Sequence, residues 1–120
     1  MEIYQIVLGQ EIVNAINKAG REKAIQIFPQ YEVYLNCLCE GSEGFKSGDF
    51  KFFEKVADVD SDSMDDTFRI LNLWDEEERV TLTPGRAGMK SLSVGDIVSQ
   101  AGRFFMVEDC GFKEIVVEAV

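Results

Sequence analysis

Residues 2–8 predict a strand: Ile3, Ile6, Val7 and Leu8 are apolar, Tyr4 and Ile6 flank Gln5, and Gly9 breaks the run. The spacing then changes. Ile12, Val13, Ile16 and Ala19 fall on one stripe, which predicts a short amphipathic helix over 10–19 closed by Gly20. From Arg21 to Cys39, Ala24, Ile27, Phe28, Tyr31, Tyr34, Leu35 and Leu38 recur at helical spacing. Pro29 lacks the donor that a continuous helix needs, so two pieces joined near it are expected. Val33, Leu35, Cys37 and Cys39 also alternate as a strand would, but the Gly-free length and the tyrosine spacing favour helix.

Three glycines and two serines make 40–49 a loop, with Phe45 tucked beneath it. The latter half of 50–59 reads as a strand. A helix begins at Asp62 or Ser63, either of which can cap it, and Asp65 and Asp66 suit its positive end. Met64, Phe68 and Leu71 form its expected inward stripe. An acidic connection containing Trp74 follows, then a short strand at 79–82 and a turn at Thr83-Pro84-Gly85. Segments 91–98, 103–108 and 112–118 read as three strands, with turns at Ala101-Gly102 and Cys110-Gly111. No linker divides the chain and nothing repeats. The expectation is one α+β domain over 1–120, with helices packed on one face of a mostly antiparallel sheet that ends in a C-terminal β-meander. Its expected core is Ile6, Ile12, Ile16, Phe28, Leu35, Val56, Phe68, Leu71, Leu92, Ile97, Phe105, Val107 and Ile115.

Composition narrows the chemistry. The 120 residues hold 12 Lys plus Arg, 22 Asp plus Glu and no His, for a net charge of −10. Without imidazole there is no histidine general base, no Ser-His or Cys-His pair, and no usual catalytic zinc site. The charge disfavours nucleic-acid binding, which needs clustered Lys and Arg, and suits a basic partner. Residues 1–8 lack the basic flank and long apolar run of a signal peptide, and no stretch is long enough to span a membrane, so a cytoplasmic location is expected. Cys37, Cys39 and Cys110 form no metal or disulfide pattern and read as small buried side chains.

The acids themselves are the candidate site. Asp58-Val59-Asp60-Ser61-Asp62 resembles the start of a calcium loop, but the sixth and twelfth positions hold Ser63 and Arg69 in place of the required Gly and Glu. Asp65 and Asp66 extend this cluster, and Asp75-Glu76-Glu77-Glu78 forms a second one beside Trp74. Together they can present a negative face to a basic groove, with Trp74 as anchor. Gly85-Arg86-Ala87-Gly88 lacks the Lys of a phosphate loop, and Arg86 with Lys90 reads as a basic spot offsetting nearby acids. In Val94-Gly95-Asp96, Gly95 suits a turn and Asp96 can bond its neighbouring amides.

Met89-Lys90-Ser91-Leu92-Ser93-Val94-Gly95-Asp96-Ile97-Val98, then Gly102, Phe105-Met106-Val107 and Gly111-Phe112-Lys113-Glu114-Ile115, resembles the C-terminal signature of YodL-like domains. Small uncharacterised bacteriophage and mobile-element proteins share that signature. Phe28-Pro29-Gln30-Tyr31-Glu32, Gly41-Ser42-Glu43-Gly44 and Phe68-Arg69-Ile70-Leu71-Asn72-Leu73-Trp74 fit the longer phage-type pattern. The resemblance implies a phage or prophage-like origin and an accessory role in a host cell. It carries no settled activity, so it transfers no catalytic residue.

The leading expectation is a non-enzymatic acidic interaction protein that binds a host or phage protein through Asp58, Asp60, Asp62, Asp65, Asp66 and Asp75 to Glu78. A sharper version is an anti-defence protein that imitates nucleic acid, whose duplex form carries about one charge per 1.7 Å of axis. Alternatives are an enzyme using carboxylates alone or with a divalent cation, and a homo-oligomer joined through an edge strand. No catalytic residue, metal ligand or cofactor is assigned.

Overall fold

The structure, a computed structural model, describes residues 1–84 and 89–118. Six strands form one sheet in the order β3-β2-β1-β4-β5-β6, and every pairing is antiparallel. They are β1 (Glu2–Gln5), β2 (Glu54–Val59), β3 (Val80–Leu82), β4 (Ile97–Gln100), β5 (Arg103–Val107) and β6 (Phe112–Ile115). The helices are α1 (Gln10–Ala19), α2 (Arg21–Ile27), α3 (Pro29–Glu40) and α4 (Met64–Leu73). The α+β class, the antiparallel sheet and the C-terminal meander β4-β5-β6 are as expected.

Local chemistry sets the helix ends. Gly20, at φ 86°, stops α1 by donating its N–H to the Ile16 carbonyl, and α2 starts at once. Pro29 opens α3 at its first turn, where its missing donor costs nothing. Of the two caps open for α4, Ser63 is the one used: its hydroxyl accepts from the Asp66 N–H. Residues 40–49 contain two 3₁₀ turns, Gly41–Gly44 and the start of Ser47–Phe52, and Phe45 packs edge-on against Phe53 beneath them.

Strand β1 is central, paired with β2 on one side and β4 on the other. Three successive residues of β4, Ile97, Val98 and Ser99, are buried, which requires cover on both faces because side chains alternate. Val33 and Cys37 of α3, with Phe50 and Phe53, cover the face of Ile97 and Met106; α1 and α2 extend that side around Tyr31. On the opposite face α4 adds a further layer, packing Ile70 and Leu71 on Ile3, Ala57 and Val98.

Several side chains sit elsewhere than expected. The inward stripe of α4 is Thr67, Ile70 and Leu71; Phe68 is 39% exposed and meets Phe112 edge-on. The reason is rotational: 67, 70, 71 and the capping Trp74 share one side at 100° per residue, and Phe68 lies at its margin. Ile16, Phe28, Leu35, Phe105 and Ile115 are half-buried, since each lies at the edge of a layer. The segment 91–96 is not strand, and β4 starts only at Ile97: Asp96 turns back on Ser93, donating its N–H to the Ser93 carbonyl and accepting the Ser93 N–H on its side chain, while the Gly95 N–H and the Asp96 carbonyl bond Val107 of β5. Cys37 is buried, whereas Cys39 and Cys110 are exposed, one at the end of α3 and one in the β5–β6 turn. The expected Gly85–Gly88 basic spot and part of the 83–85 turn lie outside the described residues.

Candidate functional site

The acidic candidates gather at one corner, and strand pairing puts them there. Strand β2 ends at Val59, the chain crosses the sheet as α4, and β3 returns beside β2 with Val80 opposite Val59. The loops entering and leaving α4 are thereby forced together. The Asp60 N–H donates to the Arg79 carbonyl at 2.8 Å, and Arg79 Nε donates back to the Asp60 carbonyl at 2.8 Å.

Two arginines bind the corner into a network. Arg69 Nη2 donates to Asp66 Oδ1 at 2.8 Å and to Glu76 Oε2, while its Nη1 reaches Asp75 Oδ2 at 2.7 Å. Arg79 Nη2 donates to Asp66 Oδ2 at 2.9 Å and its Nη1 to Glu76 Oε2 at 3.1 Å. Asp66 and Glu76 are thus each held by both cations. Hydrogen bonds from Arg69 are the largest influence lowering both carboxyl pKa values below the ordinary range. Ser61 adds a hydroxyl donor to Asp66 at 3.1 Å.

Asp58 belongs to a separate pairing. Glu2 and Asp58 face each other across β1 and β2, and Lys55 Nζ lies 3.0 Å from both carboxylates. It relieves a cross-strand like-charge repulsion. The five remaining acids, Asp60, Asp62, Asp65, Glu77 and Glu78, have no side-chain partner among the described residues, and all five are exposed. The two sequence clusters therefore share one corner. Asp66, Asp75 and Glu76 form a cross-linked network there, and the five other carboxylates lie on the loops and helix end that adjoin it.

Trp74 ends α4 in the left-handed region, at φ 53° and ψ 33°, with its N–H on the Ile70 carbonyl. Its indole is half-buried against the core cluster that contains Ile70 and Leu71. Its neighbour Leu73 is 66% exposed, on the same side of α4 as Asp66 and Arg69. Arg69 and Arg79 were not among the residues singled out from the sequence. The signal was present in the i, i+3 spacing of Asp66 with Arg69 and Glu76 with Arg79.

The corner is not a cation cage. Among the described residues no three Asp, Glu or Cys side chains come together to hold a metal ion. Ser63, at the sixth position of the calcium-like run, is spent on capping α4, and Arg69, at the twelfth, brings a positive charge to the corner. Concave surface lies elsewhere. A cleft of about 630 Å³ between the β1–α1 loop and the 3₁₀ turn at 47–52 is lined by Val7, Ile12, Phe28 and Phe52 and edged by Lys51 and Glu11. None of the candidate site residues lines it. No helix among the described residues is long and apolar enough to cross a membrane.

No family model, curated protein or solved structure matches the chain.

Proposed function

We propose that this chain is a non-enzymatic interaction protein that receives a basic protein surface on its acidic corner. One observation carries the reading: Arg69 and Arg79 fix Asp66, Asp75 and Glu76 in place, while Asp60, Asp62, Asp65, Glu77 and Glu78 are exposed and have no cation of their own among the described residues. Exposed carboxylates without a cation of their own attract a cationic partner over roughly a Debye length, about 8 Å at physiological salt. The exposed Leu73 beside them supplies apolar area for contact. The YodL-like signature supports placing this role among phage or mobile-element accessory proteins acting in a host cytoplasm.

The test compares the wild-type chain with a variant carrying Asp60→Asn, Asp62→Asn, Asp65→Asn, Glu77→Gln and Glu78→Gln. Among the described residues none of these side chains makes an ion pair, and beyond the favourable place of Asp65 in the first turn of α4 they support no element, so the variant is expected to keep its circular dichroism spectrum. Affinity capture from bacterial lysate is run at low and at high salt. The expected result is a stoichiometric basic partner retained by the wild type at low salt, released at high salt and not retained by the variant. Identical bound sets for the two proteins overturn the proposal.

A further inference from the structure

The cleft away from the acidic corner lies where a strand pairing stops short. Strands β1 and β2 part after Gln5, which stands opposite Glu54. In that register Val7 would face Phe52, but Phe52 is held in the 3₁₀ turn Ser47–Phe52, and the cleft of about 630 Å³ opens between the two. Burial still alternates past the end of β1: Ile6 is buried, Val7 is 42% exposed and Leu8 is half-buried. Ile6 and Leu8 are anchored in the clusters under α3 and α1, which fixes the main chain between them. Among the described residues nothing hydrogen-bonds to the main chain of Ile6, Val7 or Leu8. Such a row of unpaired N–H and C=O groups is a template for another extended chain.

We propose that this cleft binds the end of an extended peptide whose last residue is apolar and carries a free carboxylate. The peptide's main chain supplies the missing rung at Val7, as when a strand is added to an open sheet edge. Its apolar side chain meets Val7, Ile12, Phe28 and Phe52 in the cleft lining. The volume falls within the range of roughly 300–1,000 Å³ usual for ligand sites. Charge selects the terminus. Lys51 and Glu11 edge the cleft, and neither has an ion-pair partner among the described residues. Glu11 lies in the first turn of α1, where the positive end of the helix offsets its charge. The other acid in the lining, Glu54 at the start of β2, has a partner of its own. Lys51 is exposed and has only the face of the Phe52 ring, 5.2 Å from its ammonium to the centroid. A carboxylate arriving beside Phe52 gives that ammonium its counter-charge.

The amide spectrum of the full chain is followed by NMR as acetyl-dialanyl-valine, acetyl-dialanyl-leucine and acetyl-dialanyl-phenylalanine are added to about 10 mM, each as the free acid and as its C-terminal amide. The expected result is a saturable shift of the Val7, Leu8 and Phe52 amides with at least one free acid, bound about two- to fivefold tighter than its amide. Lys51→Met removes that preference and leaves binding of the amide form unchanged. Gly9 lines the cleft at φ −68°, with nothing within 4 Å of an added Cβ, so Gly9→Leu narrows the cleft without backbone strain and weakens the binding. Hexanoate, an apolar acid without a peptide main chain, binds more weakly than the best peptide. No saturable shift with any peptide, or equal binding of acid and amide, overturns the proposal. So does a preference that survives Lys51→Met, binding unchanged by Gly9→Leu, or hexanoate bound as tightly as the peptides.

Discussion

Gly95 offers a sharp test of how the meander docks on α3. Its φ is +93°, and a Cβ built there stands 2.9 Å from the Cys37 carbonyl carbon and 3.0 Å from its oxygen. Those atoms are main chain in the last turns of a twelve-residue helix and cannot rotate aside. Gly102, in the β4–β5 turn, has a similar φ of +80° with nothing within 4 Å of the added atom. Alanine at either site incurs the left-handed backbone penalty of roughly 1–2 kcal/mol. Only Gly95→Ala also overpacks a close contact, which adds about 1–3 kcal/mol. The expected losses are therefore roughly 1–2 kcal/mol for Gly102→Ala and about 2–5 kcal/mol for Gly95→Ala. Urea unfolding followed by fluorescence of Trp74, the one tryptophan, measures both. Unchanged slopes with separated midpoints support the packing argument. Equal losses at the two glycines refute it, since backbone strain would then be the whole effect.

Ala101 precedes Gly102 at φ 52°, the conformation that a two-residue β4–β5 turn demands and that alanine resists. Ala101→Gly should raise the urea midpoint, by about 0.5–1 kcal/mol of stability. Thiol titration should find Cys39 and Cys110 reactive in the folded chain. Cys37 should react only on unfolding, because burial, then the nearby Asp49 and Asp96 charges, push its thiol up to about 12. Arg69→Ala should act on the acid limb of the pH–stability curve. Asp66 and Glu76 have lowered folded pKa values, so their contribution is present above the ordinary carboxylate range and fades as pH falls through it. Losing Arg69 should flatten that fade, read as a smaller drop in urea midpoint from pH 5 to pH 3. An unchanged slope would show that the network contributes nothing to folding.

Much of the chain's local grammar was legible without coordinates. Gly20 and Pro29 marked helix boundaries that the structure reproduces, and Ser63 was one of two plausible caps for α4 because a hydroxyl before Asp65 and Asp66 suits a helix start. The meander strands were readable from their alternation and from the turns between them. These signals depend on a residue and its neighbours within one helical turn or one hairpin.

Placement depended on partners far along the chain. The stripe of α4 was misjudged at Phe68 because a margin residue becomes core or surface only when the opposing layer is known. The strand expected over 91–98 begins only at Ile97, because Asp96 bonds Gln5, 91 positions earlier, and turns back on Ser93, while Gly95 and Asp96 meet Val107 of β5. The acids show the same division. Composition fixed that the protein is strongly negative and which residues carry that charge. The return of β3 alongside β2 decided that members of two clusters separated in sequence meet at one corner, and that Arg69 and Arg79 pair with Asp66, Asp75 and Glu76 there. Charge is a property of each side chain, but a charged surface exists only after backbone hydrogen bonds have chosen which side chains are neighbours.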